Sequence, residues 1–258
     1  GMSAISPSAS ELADLSLAAG KLWELDTNRL VYGRDYEIQL QSCRRFNDGD
    51  LASKPLFKRV DDSVLEKPTF KSFVSLLDNY SALTGVAEAV THEEIMENNA
   101  FLNAILATGP IKYLGEYLRA KRVIKAAGDL KQLLHDLWFK MYKRDRSSRG
   151  SDSSGFEHVF VGEVSPDYKS GEQIVKGFHN WIQIYRQEII LDGKLNYRGY
   201  KRPNVRGLNS LKHDMEEEQV LSIQFEWDGY LKPIGTVILG VSPEFEIALY
   251  TLFFLCAD

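Results

Sequence analysis

The chain has little of what builds disulfide or metal-knuckle scaffolds. Its 258 residues hold two cysteines, Cys43 and Cys256, which lie far apart and fit no metal-ligand or redox spacing. Long hydrophobic runs are missing as well. Nothing approaches the roughly 18 consecutive apolar residues of a membrane span, so no membrane partner is expected. Nor does charge of one sign dominate, since 31 basic and 36 acidic residues give a net charge of −5. That balance argues against a protein that coats nucleic acid through bulk charge, while allowing a local basic groove on an acidic body. Histidine is scarce, five in all, which makes the neighbours of each one informative. The first residues show no basic segment followed by an apolar run, so no signal peptide is expected. Cytoplasmic or nuclear localisation follows as the expectation, with secretion left open because Gly1 ahead of Met2 allows for a leader removed earlier.

What is present is a globular composition, 44% hydrophobic and 26% charged, enough for one large core or two modest ones. The first half reads helical. Ser8 and Glu11 form a capping pattern ahead of Leu12, Leu15, Ala19 and Leu22 at helical spacing. Lys67-Pro68-Thr69 opens an amphipathic stripe through Phe70, Phe73 and Leu77. Thr91 and Glu94 make a second capping pattern, Gly109-Pro110 separates two more helices, and Asp129 opens one that carries Leu130, Leu134 and Trp138. These stripes read as core.

The stretch from Arg144 to Ser154 is rich in Ser, Arg and Gly and has no apolar residue, which predicts a mobile linker or loop. After it the pattern changes. Glu157 to Val164 reads as a strand, about 171–191 as a helix, and 195–201, 219–227 and 230–239 as strands. Asp228-Gly229 marks a two-residue hairpin between the last two strands. Ser242-Pro243-Glu244 opens a final helix. The expectation is therefore an α+β fold. A mainly helical region spans 1–148, and a mixed α+β half with an antiparallel sheet spans 149–258.

His92 and His135 sit within amphipathic helical segments and read as surface residues. His158 lies between Glu157 and Val159 with Glu163 close behind, and His179 falls in Gly-Phe-His-Asn-Trp, off the apolar stripe of its predicted helix. A strand, a loop and a helix can bring these two imidazoles together. Spacing alone leaves two satisfied, non-functional histidines as the simpler alternative. If paired with an ammonium group, they suit RNA cleavage, because RNA carries its own nucleophile in the 2′-hydroxyl. One neutral imidazole takes that proton and one protonated imidazole supplies the leaving 5′-oxygen. A lysine at the non-bridging oxygens stabilises the charge that builds on the phosphate.

Four ordered strings, SGFEHVFVGE (154–163), GFHNW (177–181), WDGYLKPIG (227–235) and GVSPEFEIALYTL (240–252), closely resemble the EndoU family. These are the XendoU-like poly(U)-specific endoribonucleases, distantly related to the coronavirus uridylate-specific endoribonuclease. LWELDTNRL (22–30), PLFKRVDD (55–62) and PTFKSFVSLLDNY (68–80) extend the resemblance into the first half. The resemblance implies that His158 and His179 are the catalytic imidazoles, with His179 as base and His158 as acid. It implies that Lys232 is the catalytic lysine, with Glu157 and Glu163 as supporting acids. Glu157, beside His158, is expected to help hold the acid protonated. It also implies manganese stimulation, with the metal ligands unknown, and single-stranded RNA cut at uridines to leave a 2′,3′-cyclic phosphate. Family members continue beyond the final helix into a hairpin ending in Thr-x-Tyr that these 258 residues do not include. Either the sequence is a piece of a longer protein or substrate is bound with fewer contacts, and uridine preference is the expectation that this bears on most.

Phosphate contacts are assigned to Lys140, Lys143, Arg144, Arg146 and Arg149 ahead of the first histidine. Lys201, Arg202 and Arg206 form a second basic cluster. A monomer is expected. The competing reading is an RNA-binding protein of this fold with weak or no cleavage. A metal-dependent hydrolase is weaker, since His158, His179, Glu157 and Glu163 lack a short-spaced ligand pair.

Overall fold

The structure is a computed structural model that describes residues 5–45, 49–80, 90–142, 153–201 and 219–257. Six helices come first: α1 (Ala9–Ala13), α2 (Leu15–Leu25), α3 (Pro68–Leu77), α4 (His92–Leu106), α5 (Gly109–Ala120) and α6 (Asp129–Trp138). The stripe expected as one helix from Ser8 is two, because Asp14 takes an extended conformation and its carboxylate caps Ser16. At Thr91 both halves of the capping box form, and Pro68 and Pro110 occupy first-turn positions where no N–H is needed. A short antiparallel pair, β1 (Tyr36–Ile38) with β2 (Phe57–Val60), interrupts the helices.

The second half contains a five-stranded sheet built from β3 (Glu163–Pro166), β4 (Gln173–Lys176), β5 (Leu195–Lys201), β6 (Val220–Trp227) and β7 (Tyr230–Ile238), in the order β3-β4-β7-β6-β5. The architecture is the expected α+β one. Its neighbouring strands are antiparallel except β4 and β7, which run parallel. Asp228 and Gly229 both have positive φ, the conformation of a tight hairpin turn matched to strand twist. Then α7 (Trp181–Tyr185) continues into a wider π-type turn at Arg186–Ile190, and α8 (Pro243–Cys256) closes the chain, capped by Ser242.

The predicted helix over 171–191 is a strand, a loop and a short helix. Its apolar residues do recur at helical spacing, but Gly171, Gly177 and Phe178 all have positive φ, which no helix accommodates. Glu157–Val161, predicted as extended, is one helical turn of π type, with Phe156, Phe160 and Val161 buried. The β-branched content of that segment misled the reading, because tertiary packing of Phe156 and Phe160 overrides local preference. Ser153 and Ser154, assigned to a mobile linker, are fully buried. Residues 143–152, where the 148/149 boundary falls, lie outside the described residues.

One cluster of buried apolar side chains runs through both halves. Trp181 stands at its centre, against Tyr36, Phe57 and Phe70 from the first half, and its indole N–H donates to the Val241 carbonyl at 2.8 Å. Removing that ring costs about 3–5 kcal/mol. Helix α8 packs on α2, α3 and α5, and the Leu30 N–H donates to the Gly240 carbonyl at 2.8 Å. The loop between β4 and α7 is thus anchored to the rigid middle of the molecule. Among the described residues no helix is long and apolar enough to cross a membrane.

Candidate active site

His158 projects from the π-type turn and is 39% exposed at its side chain. Its Nδ1 lies 2.9 Å from an oxygen of Glu163, the first residue of β3. Glu163 is fully buried, and its other oxygen accepts from the Ser153 hydroxyl. The sequence reading gave the neighbouring-acid role to Glu157; the hydrogen bond to the ring belongs to Glu163. A carboxylate at Nδ1 makes that nitrogen the N–H donor, turns Nε2 outward, and provides a counter-charge for a doubly protonated ring. Glu157 is 1% exposed, one residue before the histidine.

His179 sits in the loop between β4 and α7, and the backbone explains how it reaches His158. The His158 and Val159 carbonyls accept from the Phe178 and His179 N–H groups at 3.2 and 2.8 Å. This approach needs Gly177, where φ is +67° and a Cβ would overlap the His158 carbonyl oxygen. Phe178 is then buried against Phe225 and Trp227. The imidazole is fixed through Nδ1, which lies 2.9 Å from the Thr236 carbonyl of β7. Because a carbonyl only accepts, Nδ1 carries the hydrogen, and Nε2 of the neutral ring keeps its lone pair. Burial lowers this imidazole below its usual value of 6.5, opposed by the bond to Thr236 and aided by the charge on Lys232. His179 is therefore neutral at pH 7.

His158 and His179 both line a cleft of about 760 Å³, together with Thr236, Ile238, Tyr250 and Trp138. Lys232 is not among the residues that line this cleft; it is 8% exposed, on β7 opposite Phe225. Its methylene stem lies over Gly235, where even a Cβ would come within 3.4 Å of Cε. Burial pushes its ammonium group down to about 8, so it is still mostly charged at neutral pH. Because its charge acts on His179, the site combines two differently partnered imidazoles with one buried cation.

Of the basic residues assigned to phosphate contact, Lys140 is exposed just beyond α6 and Lys201 is partly buried at the end of β5. Lys143, Arg144, Arg146, Arg149, Arg202 and Arg206 lie outside the described residues. Among the described residues, no group of three or more His, Cys, Asp or Glu side chains is arranged to hold a metal ion. Sequence reasoning missed Ser153, Thr236 and Asn180. Ser153 looked like linker, Thr236 acts through its backbone, and Asn180 was visible only as a neighbour of His179.

A family model described as Endoribonuclease XendoU matches residues 14–258. The poly(U)-specific endoribonuclease-B of Xenopus laevis is 46% identical over 253 residues, which is 95% of this chain and 82% of that protein. Uridylate-specific endoribonuclease B of Danio rerio is 45% identical over 248 residues, 94% of this chain and 83% of that one. The solved structure of XendoU, described as a splicing-independent snoRNA-processing endoribonuclease, superimposes with a TM-score of 0.78 at 45% identity. It covers 95% of this chain and 84% of its own.

Proposed function

The chain belongs to the endoribonuclease XendoU family, and from that premise we propose that it cleaves single-stranded RNA at uridines by transphosphorylation, acting as a monomer. The observation that carries the reading is the pair of imidazoles on one cleft with different partners at Nδ1, a backbone carbonyl for His179 and a buried carboxylate for His158. Nε2 of His179 takes the proton from the 2′-hydroxyl, and O2′ forms a bond to phosphorus. The bond from phosphorus to O5′ breaks, and Nε2–H of His158 protonates the departing oxygen. The products are a 2′,3′-cyclic phosphate and a 5′-hydroxyl. Lys232 stabilises the extra negative charge of the pentavalent state, and its burial strengthens that interaction.

Manganese stimulation belongs to the same proposal in a looser form. The described residues form no cage for the ion, so RNA phosphate oxygens would supply much of its coordination. None of the proton transfers above is routed through it. The test is a time course on a uridine-containing oligoribonucleotide, with and without manganese after chelation, beside the same oligomer carrying one 2′-deoxyuridine. Cleavage at uridine leaving a cyclic end, faster with manganese and absent at the deoxy position, is expected. Equal cleavage of the deoxy position would overturn the chemistry, and binding without cleavage would favour an RNA-binding protein of this fold.

A further inference from the structure

The loop that carries His179 is held from behind by polar groups that the mechanism above does not use. Asn180 is 1% exposed. Its Oδ1 accepts from the Gln183 N–H at 3.0 Å as the cap of α7, which fixes the orientation of the amide. Nδ2 therefore faces the other way and donates to Glu246, in the first turn of α8, at 3.4 Å. Glu246 is fully buried, and its second oxygen has no hydrogen-bond partner among the described residues. Its charged neighbour is Asp26 at the end of α2, itself 4% exposed and bonded to the Ser242 N–H at 3.1 Å. Burial pushes Glu246 well above the carboxylate range against the bond from Asn180, with Asp26 adding to the rise. Burial at that depth favours the protonated, uncharged form of a carboxyl.

We infer that Asn180 and Glu246 are positioning residues for RNA cleavage: a buried carboxyl on α8 grips the amide next to His179 and thereby sets where that imidazole stands in the cleft. The inference rests on the reading of His179 as the base. Phe178, on the other side of the histidine, has a φ of +64°, a conformation that persists only where the surroundings over-determine it. Besides the backbone bonds to His158 and Val159 and the ring bond to Thr236, the Phe178 ring and the Asn180–Glu246 bond are side-chain anchors on either side of the histidine. A shift of about 1 Å at a reacting group can cost on the order of a hundredfold in rate, so loosening one anchor should slow the chemistry without weakening RNA binding.

Three variants test this, each assayed for kcat, for affinity toward a 2′-deoxyuridine oligomer, for melting temperature and for the ring ¹⁵N signals of His179. Glu246→Gln keeps shape, acceptor and neutrality and should stay within about twofold of the parent kcat. Asn180→Ser keeps a hydroxyl able to cap α7 but cannot reach Glu246; its kcat should fall about tenfold or more with affinity nearly unchanged. Glu246→Ala should resemble Asn180→Ser if it folds, and both should show altered His179 ring signals. A parent-like kcat in Asn180→Ser, or a Glu246→Gln variant as slow as Asn180→Ser, overturns the inference. The latter result would mean that a charged carboxylate is needed. His179→Ala serves as the control: if it is fully active, the reading of His179 fails and takes the inference with it. If it is inactive while Asn180→Ser is unaffected, only the inference fails.

Discussion

His158 and His179 open onto one cleft but are held by different chemistry. On the His158 side a fully buried carboxylate accepts from the ring and from Ser153. On the His179 side the acceptor is a peptide carbonyl, and the buried carboxyls behind its loop, Glu246 and its neighbour Asp26, are pushed upward by burial, Asp26 to about 6. Under the proposed mechanism, identical side chains thereby take opposite proton duties. A carboxylate stabilises an imidazolium, whereas a carbonyl only selects the tautomer of a neutral ring. The difference lies in the surroundings, as in other sites where environment separates two like groups into acid and base.

Deleting either ring gives the largest effect expected. His158→Ala and His179→Ala should each lower kcat by about a thousandfold or more, with unchanged melting temperature because neither ring is part of the apolar core. The comparison sharpens with a leaving group that needs no proton. A substrate with a good leaving group at the 5′-oxygen should restore much of the rate to His158→Ala and none to His179→Ala. Equal rescue of both would erase the distinction between acid and base.

The acceptors come next. Glu163→Gln removes the counter-charge and can present an N–H to Nδ1, so kcat should fall about a hundredfold. Thr236→Ala keeps the carbonyl that His179 uses and should stay within about threefold of the parent. If the threonine variant were the slower of the two, the asymmetry would be gone. Lys232→Met separates rate from stability. It should lose about a hundredfold in kcat, yet melt at a higher temperature. The ammonium group is shifted from 10.5 to about 8 in the folded protein, so the unfolded chain binds that proton more tightly. The resulting cost is fully present below about pH 8 and fades as the pH rises toward 10.5. At neutral pH its removal can be worth up to about 3 kcal/mol, and the gain over the parent should shrink above pH 8. A variant that melts lower at pH 7 would contradict this.

Helices α3, α4, α5 and α8 were legible because their information is local: a proline or capping residue at the start, then apolar residues every three or four positions. The hairpin at Asp228-Gly229 was legible for the same reason. The two histidine segments were not, because their conformations are set by partners distant in sequence. Gly177 must pass the His158 carbonyl, and β4 must pair parallel to β7, and neither demand leaves a periodic trace. Lys232 stood out only through the resemblance of its string, since a lysine after a tight turn otherwise reads as solvated charge. The Glu163 partnership needs a π-type turn to bring residue 163 back beside residue 158, whereas a strand spacing of five would have pointed them to opposite faces.

The smallest expected effect concerns pH and probes the His179 side alone. A general base must be deprotonated, so cleavage should rise with pH through the pKa of His179 and level off above it. Burial, with Lys232 assisting, depresses that pKa below 6.5, and the acid limb of kcat/KM should therefore lie at lower pH than that of an ordinary imidazole. In Lys232→Met the electrostatic contribution is lost while the larger one, burial, remains. The limb of the residual activity should then move to higher pH, lowering the relative rate on the acid side of the profile. An unmoved limb would mean that Lys232 is too well screened from His179 to influence it. A limb that moves the other way would mean that the titrating group is not the base.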